Sequence, residues 1–332
     1  MTGRAGGRRL GRVAAGAAVL AAVVTVGGCA EPPGPSITPP SAAYYMPPQP
    51  EGVTVVPPMS PATPPVDCRD PLASLRPFPA GETPHGPTLD AIRERGRLVV
   101  GIDTGSNLTS FRSPVTGTLE GFDVDIAREI ARDLLGSPDA VDFRILPYTD
   151  REQALTDGVV DIVAKTLSIT CERRERIDFS SVYYVAHQRI LTEEDNSIDS
   201  VADLPGKRVC AGAGTTSLDR IRTLQPDAVV VSAPMWSDCL VLLQQRQVEA
   251  ISTDDTLLAG LAMQDPHTHV VGESLGTEQY GIGVARDRDD LVRAVNGTLE
   301  RIRRDGTWER SYERWLTALG PMPAPPAATY RD

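Results

Sequence analysis

Between about Thr88 and Leu319, apolar and polar positions switch repeatedly between two periods. Leu98-Val99-Val100-Gly101-Ile102 and Val159-Val160-Asp161-Ile162-Val163-Ala164 are short apolar runs that read as buried strands. Val141-Asp142-Phe143-Arg144-Ile145 alternates like a half-buried strand. Ile126, Ile130 and Leu134 recur every four residues, with Ala127 and Ala131 beside them, which predicts a helix capped by Asp125. Arg151 to Asp157 reads as a short helix. After Arg189-Ile190-Leu191 the series restarts, with strands over 208–211, 228–231 and 250–252 and helices over 217–223 and 237–245. A strand over 281–284 and a long helix from Asp289 to Arg304 close it. The alternation implies an α/β protein of two βαβ-rich halves with parallel sheets. Roughly 230 residues suffice for two lobes of ordinary domain size.

The N-terminus follows another pattern. Arg4, Arg8, Arg9 and Arg12 precede an apolar run from Val13 to Val26, short for a membrane span, and Val26-Gly27-Gly28-Cys29 ends it with small residues. This order suits a bacterial lipoprotein signal over residues 1–28, with Cys29 lipidated; an ordinary secretory signal with an incidental cysteine is the alternative. A lipid on Cys29 would anchor the protein at the extracytoplasmic face of the cell membrane without a transmembrane helix. Thirteen of residues 31–67 are proline, so residues 29–88 are expected to form an extended stalk. Gly320-Pro321-Met322-Pro323-Ala324-Pro325-Pro326 marks 319–332 as a Pro-rich tail.

Charge narrows the function. The chain carries 33 Lys+Arg against 44 Asp+Glu, a net charge of −11, and losing the four arginines of residues 1–28 brings it to −15. Such a field repels polynucleotides, so no nucleic-acid partner is expected, and an anionic ligand must be held by local cations. No Gly-x-Ser-x-Gly or His-Glu-x-x-His occurs, and Gly212-Ala213-Gly214-Thr215-Thr216-Ser217 lacks the Gly-Lys-Ser/Thr ending of a phosphate-binding loop. His85, His187, His267 and His269 are not grouped with cysteines, so no metal and no cofactor are expected. Besides Cys29, Cys68, Cys171, Cys210 and Cys239 allow three disulfide connectivities, and an oxidising compartment favours such bonds.

The segment richest in chemistry is Ser168-Ile169-Thr170-Cys171-Glu172-Arg173-Arg174-Glu175-Arg176-Ile177-Asp178-Phe179-Ser180, followed by Tyr183-Tyr184. Two hydroxyls at a strand end and an arginine three residues on suit the α-carboxylate of a free amino acid, because a guanidinium grips a carboxylate through two parallel hydrogen bonds. The segment resembles the I-T-x-x-R-x-x-x-x-D-F-S signature of extracytoplasmic solute-binding proteins that serve polar amino acid ABC importers. Gly121-Phe122-Asp123-Val124-Asp125-Ile126-Ala127, Gln279-Tyr280-Gly281-Ile282-Gly283 and Asp305-Gly306-Thr307-Trp308 extend the likeness through the whole body. With the Pro-rich stalk and the extra cysteines it is similar to the glutamine-binding lipoproteins of actinobacteria.

The resemblance implies a two-lobe, type II periplasmic-binding-protein fold with a ligand cleft between the lobes. Carried over, lobe 1 is residues 89–186 plus 283–318, lobe 2 is 192–275, and hinge strands lie at 187–191 and 276–282. On that division Cys210 and Cys239 both fall in lobe 2 and are expected to pair, leaving Cys68–Cys171 to pin the stalk to lobe 1. Arg173 is expected on the α-carboxylate, with Ser168 and Thr170 assisting and Thr166 beside them. Thr215 and Thr216 begin a helix whose N–H groups and dipole would face the same group. Asp255 is expected on the α-ammonium, with neighbouring Asp254 as the alternative and a helix cap as its bland role. Tyr148 would lid the aliphatic part. Asp103 and Lys165 are the expected readers of the ligand side chain, and Ser106 stands where some members carry an aromatic.

This implies a monomeric binding protein for glutamate, aspartate, glutamine or asparagine, presenting its ligand to an ABC permease. One alternative is an amino acid sensor signalling through a membrane partner to an intracellular kinase. Another is an enzyme like cyclohexadienyl dehydratase, with Asp103 and Lys165 as an acid–base pair. The intact amino acid signature favours binding without chemistry.

Overall fold

The computed structural model describes residues 47–57 and 68–332; the expected signal over 1–28 and Cys29 lie outside the described residues. In chain order the elements begin with strand β1 (Thr54–Val55), helix α1 (Pro87–Arg95), β2 (Leu98–Ile102), β3 (Gly105–Ser106), β4 (Ser110–Arg112) and β5 (Leu119–Glu120). There follow α2 (Phe122–Leu135), β6 (Val141–Ile145), α3 (Arg151–Thr156), β7 (Ile162–Val163), α4 (Cys171–Arg174), β8 (Ile177–Phe179) and β9 (Tyr184–Glu193). Next come β10 (Arg208–Gly212), α5 (Thr216–Leu224), β11 (Val229–Ala233), α6 (Trp236–Gln244), β12 (Ala250–Asp254) and α7 (Asp255–Ala262). The chain closes with β13 (Thr268–Tyr280), β14 (Gly283–Ala285), α8 (Asp289–Arg304) and α9 (Thr307–Trp315).

Two sheets carry the lobes. The first has the order β6-β2-β7-β14-β8 and the second β1-β11-β10-β12-β9-β13, while β3, β4 and β5 form a small separate sheet. Neither large sheet is wholly parallel, as the strand–helix alternation had suggested. β14 runs antiparallel to β7 and β8, and β9 runs antiparallel to β12 and β13. The cause is the double crossing: the chain leaves the first sheet after Phe179, enters the second at Tyr184, and returns after Tyr280 into β14. The expected hinges at 187–191 and 276–282 therefore fall largely within the paired strands β9 and β13, and sheet membership puts the crossings at 180–183 and 281–282.

Burial explains the elements. In the first lobe Val100, Ile162 and Val284 pack with Ile126 and Ile130 of α2, Leu291, Val295 and Leu299 of α8, and Trp308. In the second, Val231 and Ile251 pack with Leu240 and Leu243 of α6 and Leu258 of α7. α2 starts at Phe122, three residues before the expected cap at Asp125, because Phe122 is buried and Asp123 turns inward to accept from Tyr183 Oη (2.7 Å) and Thr166 N (2.9 Å). β7 is shorter than its apolar run because Asp161 interrupts the ladder: its Oδ2 accepts from Val99 N at 2.7 Å.

The stalk and tail expectations need correction. The Val53-Thr54-Val55-Val56 run adds β1 to the edge of the second sheet, antiparallel to β11, and Gln247 Nε2 donates to Pro47 O. Downstream, Ala73, Ser74 and Leu75 are buried against the first lobe, and Ser74 Oγ donates to Phe179 O at 2.7 Å. The tail bridges back at Tyr330 to Ser74, and Arg293 pairs with Asp332 at 2.6 Å. β-branched residues and buried hydroxyls dock these proline-rich stretches on the body, where composition alone had suggested a free spacer. The disulfides are Cys68–Cys171 and Cys210–Cys239. Cys239 lies inside α6.

Candidate ligand-binding site

A narrow slot lies between the sheets. Its walls hold Arg173, Ser168 and Thr166 on one side and Thr215, Thr216 and Asp254 on the other, with Tyr148, Arg151 and Trp236 around them. It retains a cavity of only about 10 Å³. That is room for a single water at most, so an amino acid enters only when the lobes part.

Arg173 sits on the short helix α4, where Thr170 is the N-cap and its Oγ1 accepts from Arg173 N at 3.2 Å. Thr170 thus aims the arginine and does not line the slot. The guanidinium of Arg173 donates to Ser168 O (2.8 Å) and, across the slot, to Gly214 O (3.2 Å), while Nε lies 3.3 Å from Glu152. Burial lowers its pKa, opposed by Glu152 and Glu278. Gly214 presents that carbonyl from a left-handed backbone (φ 67°), and a Cβ there would meet Thr149 at 3.3 Å.

Arg151, which the sequence reading did not single out, is the second buried cation. It is 3% exposed, and its guanidinium donates to three carbonyls: Tyr148 O (2.9 Å), Lys165 O (3.2 Å) and Gly214 O (3.2 Å). No carboxylate pairs with it among the described residues. Burial depresses its pKa to about 9, with nearby Arg173 acting in the same direction. Its position at the start of α3, three residues after the slot tyrosine, is the sequence signal it carried.

Opposite them, Thr215 caps α5 with Oγ1 accepting from Leu218 N, and Thr216 Oγ1 lies 3.4 Å from Ser168 Oγ, hydroxyl to hydroxyl across the slot. Asp254, and not Asp255, faces this space. Its Oδ2 accepts from Tyr280 Oη at 2.5 Å and its Oδ1 has no partner. Burial pushes its pKa well above the ordinary carboxylate range, and Glu278 adds to the rise. Asp255 turns the other way, accepting from His187 N (3.2 Å) and Thr256 N (2.9 Å). Successive residues at a strand end point to opposite sides, so one position decides the assignment.

Asp103 and Lys165 also stand away from the slot. Both are 1% exposed and lie behind Tyr148. Tyr148 Oη donates to Asp103 Oδ2 at 3.0 Å, Lys165 Nζ sits 4.0 Å from the Tyr148 ring centre, and Lys165 donates to Leu146 O. Ser106 Oγ completes the set, donating to Asp103 Oδ2 at 2.5 Å. Tyr148 therefore separates the pair expected to read the ligand from the space a ligand would occupy. Its ring packs edge-on against Trp236 at 5.8 Å. Trp236 can lie flat on β10 because Gly212 has no Cβ; one there would meet the indole at 2.8 Å.

Three buried polar atoms without partners collect in this slot: Asp254 Oδ1, Thr166 Oγ1 and Trp236 Nε1. Buried polar atoms are ordinarily satisfied, so three around one slot mark a surface shaped for a polar guest. Two arginines for carboxylates, an acceptor for an ammonium, free hydroxyl and indole donors and two aromatic walls can hold a small zwitterion.

The sequence pattern of the family described as bacterial extracellular solute-binding proteins, family 3, matches residues 98–318. The ABC transporter glutamine-binding protein GlnH of Bacillus subtilis is 33% identical over 230 residues, 69% of this chain and 84% of that protein. The glutamate-binding protein GluB of Corynebacterium efficiens is 32% identical over 258 residues, 74% of this chain and 86% of its own length. Among solved structures, an ancestral arginine-binding protein bound to arginine superposes with a TM-score of 0.63 at 32% identity, covering 67% of this chain and 99% of that one. With its slot, its crossing strands and this extent of likeness, the chain belongs to the bacterial extracellular solute-binding proteins of family 3.

Proposed function

We propose that this protein binds a free α-amino acid in the slot, with an acidic side chain preferred, and presents it to an ABC importer from a lipid anchor at Cys29. The observation that carries the reading is Arg151, a buried cation at the slot with carbonyl partners and no acid. Arg173, Ser168 and the start of α5 suit the α-carboxylate, and Asp254 Oδ1 suits the α-ammonium. The charged side chains that line the slot itself are Asp254, Arg151 and Arg173, and an amino acid of net charge −1 balances these three, with Glu152 beside Arg173 but outside the lining. Glutamate or aspartate meets that requirement, and glutamine or asparagine would leave Arg151 with neutral acceptors only.

Two further points support the reading. Relatives named for glutamine and glutamate binding have this body in common with the chain. A catalytic reading needs Lys165 and Asp103 within reach of the guest, and Tyr148 lies between them and the slot.

Titration calorimetry of the purified protein with glutamate, aspartate, glutamine, asparagine and arginine tests the proposal. Binding of the acids at least as tight as that of their amides is expected. Tight arginine binding with no response to the acids would sink it.

A further inference from the structure

Asp255, displaced from the slot, faces a second cavity of about 320 Å³ on the hinge side of the molecule. Tyr184 of β9 and Trp308 and Tyr312 of α9 line it, and Pro321 and Pro323 of the tail roof it. The three rings lie nearly parallel: Trp308–Tyr312 at 5.6 Å and 24°, Tyr184–Trp308 at 6.5 Å and 23°, Tyr184–Tyr312 at 6.5 Å and 24°. Trp308 Nε1 is engaged with Tyr183 O, so the indole offers the cavity only its ring.

The polar side chains here are Asp255, the Tyr184 and Tyr312 hydroxyls, each able to accept, and His187, whose Nδ1 lies 3.4 Å from Ser274 Oγ. Asp255 Oδ1 takes two backbone N–H groups, and no arginine or lysine forms an ion pair with Asp255 among the described residues. Neither the Tyr184 nor the Tyr312 hydroxyl makes a hydrogen bond to another described residue. Burial raises the pKa of Asp255, opposed by the two backbone N–H groups it accepts and by the nearby His187 and Arg189, neither of which closes on it as an ion pair. The Asp255 charge raises the pKa of both tyrosines, which puts all three groups within electrostatic reach of one another.

We propose that this hinge cavity is a second ligand site, separate from the slot, and that it takes a small primary alkylammonium. A primary ammonium has three N–H donors, and Asp255 with the two phenol oxygens supplies acceptors for all of them. The aromatic rings attract the positive charge through their quadrupoles and cover the alkyl part. The volume lies at the lower end for small-molecule sites and suits a short chain. The ligand touches both lobes, since Asp255 begins α7 while Trp308 and Tyr312 belong to α9.

The test is titration calorimetry of the intact protein with propylammonium chloride, with 1-butanol as the neutral isostere and sodium chloride as the ionic-strength control. Saturable binding of propylammonium alone is expected. It should persist in Arg173→Ala, which disables the slot, and weaken at least tenfold in Asp255→Asn and in Tyr312→Leu, each verified as folded by its melting curve. Absence of saturable binding, equal binding of 1-butanol, unchanged binding in Asp255→Asn, or loss of binding in Arg173→Ala would each overturn the assignment.

Discussion

Tyr280 Oη donates to Asp254 Oδ2 at 2.5 Å, joining the end of a crossing strand to the acid that faces the slot. The phenol is the only partner of that carboxylate among the described residues, and the other oxygen is left for a guest. Glu278 and Asp255 lie close by and oppose ionisation, while Arg220 favours it. A ligand ammonium needs Asp254 charged. Amino acid affinity should therefore fall as pH drops through the raised pKa of Asp254 and level off above it, with protons released on binding. Tyr280→Phe removes a hydrogen bond to a charged group, worth about 1.5–3 kcal/mol, and should move the fall-off to higher pH. Affinity measured from pH 5 to 9 in both forms checks this; superimposable profiles would refute it.

Arg151→Met keeps the bulk and removes the charge. It should weaken glutamate and aspartate more than glutamine and asparagine, by about ten- to a hundredfold, or 1.4–2.8 kcal/mol. Parallel calorimetry of the four ligands reads the difference, and an equal loss for acids and amides would show that Arg151 does not face the side chain.

Lys165→Met should leave that selectivity unchanged, because Lys165 lies behind Tyr148. Its signature is in stability. Burial lowers the Lys165 pKa to about 8 from the usual 10.5, so the folded state binds fewer protons than the unfolded state between those values. Wild type should gain stability relative to Lys165→Met as pH rises from 8 to 10. Denaturant unfolding at these two pH values gives the answer.

Cys68–Cys171 spans 103 residues and Cys210–Cys239 spans 29. By loop entropy alone their loss should cost about 4.7 and about 3.6 kcal/mol, so paired alanine variants of the first bond should be the less stable by about 1 kcal/mol. Urea midpoints of the two double mutants test the order.

Cys29→Ala should leave the folded body intact and release the protein from the membrane. Detergent-phase partitioning of the variant would remove the lipid anchor from the reading.

Local chemistry was legible in the chain. Arg173, Ser168, Thr215 and Thr216 belong to strand-to-helix junctions whose hydroxyl, glycine and arginine spacings are set within a few residues, and all four line one slot. The long helix from Asp289 to Arg304 is where its periodicity placed it, with eight buried positions recurring from Leu291 to Ile302. Tertiary structure decided the remainder. Whether Asp254 or Asp255 looks into the slot depends on the pairing of β12 with β9, which sets Asp254 opposite Gln188, and on Tyr280 arriving from β13. Lys165 is enclosed by Tyr148, Leu146 and Asp103, and Arg151 is turned inward by the local Tyr148 carbonyl together with those of Lys165 and Gly214 from two separate segments. The docking of the proline-rich stretches depends on a free edge at β11 and on buried partners for Ser74. A side chain's type follows from its own position, but its direction and its partner follow from what packs against it, and those contacts come from far along the chain.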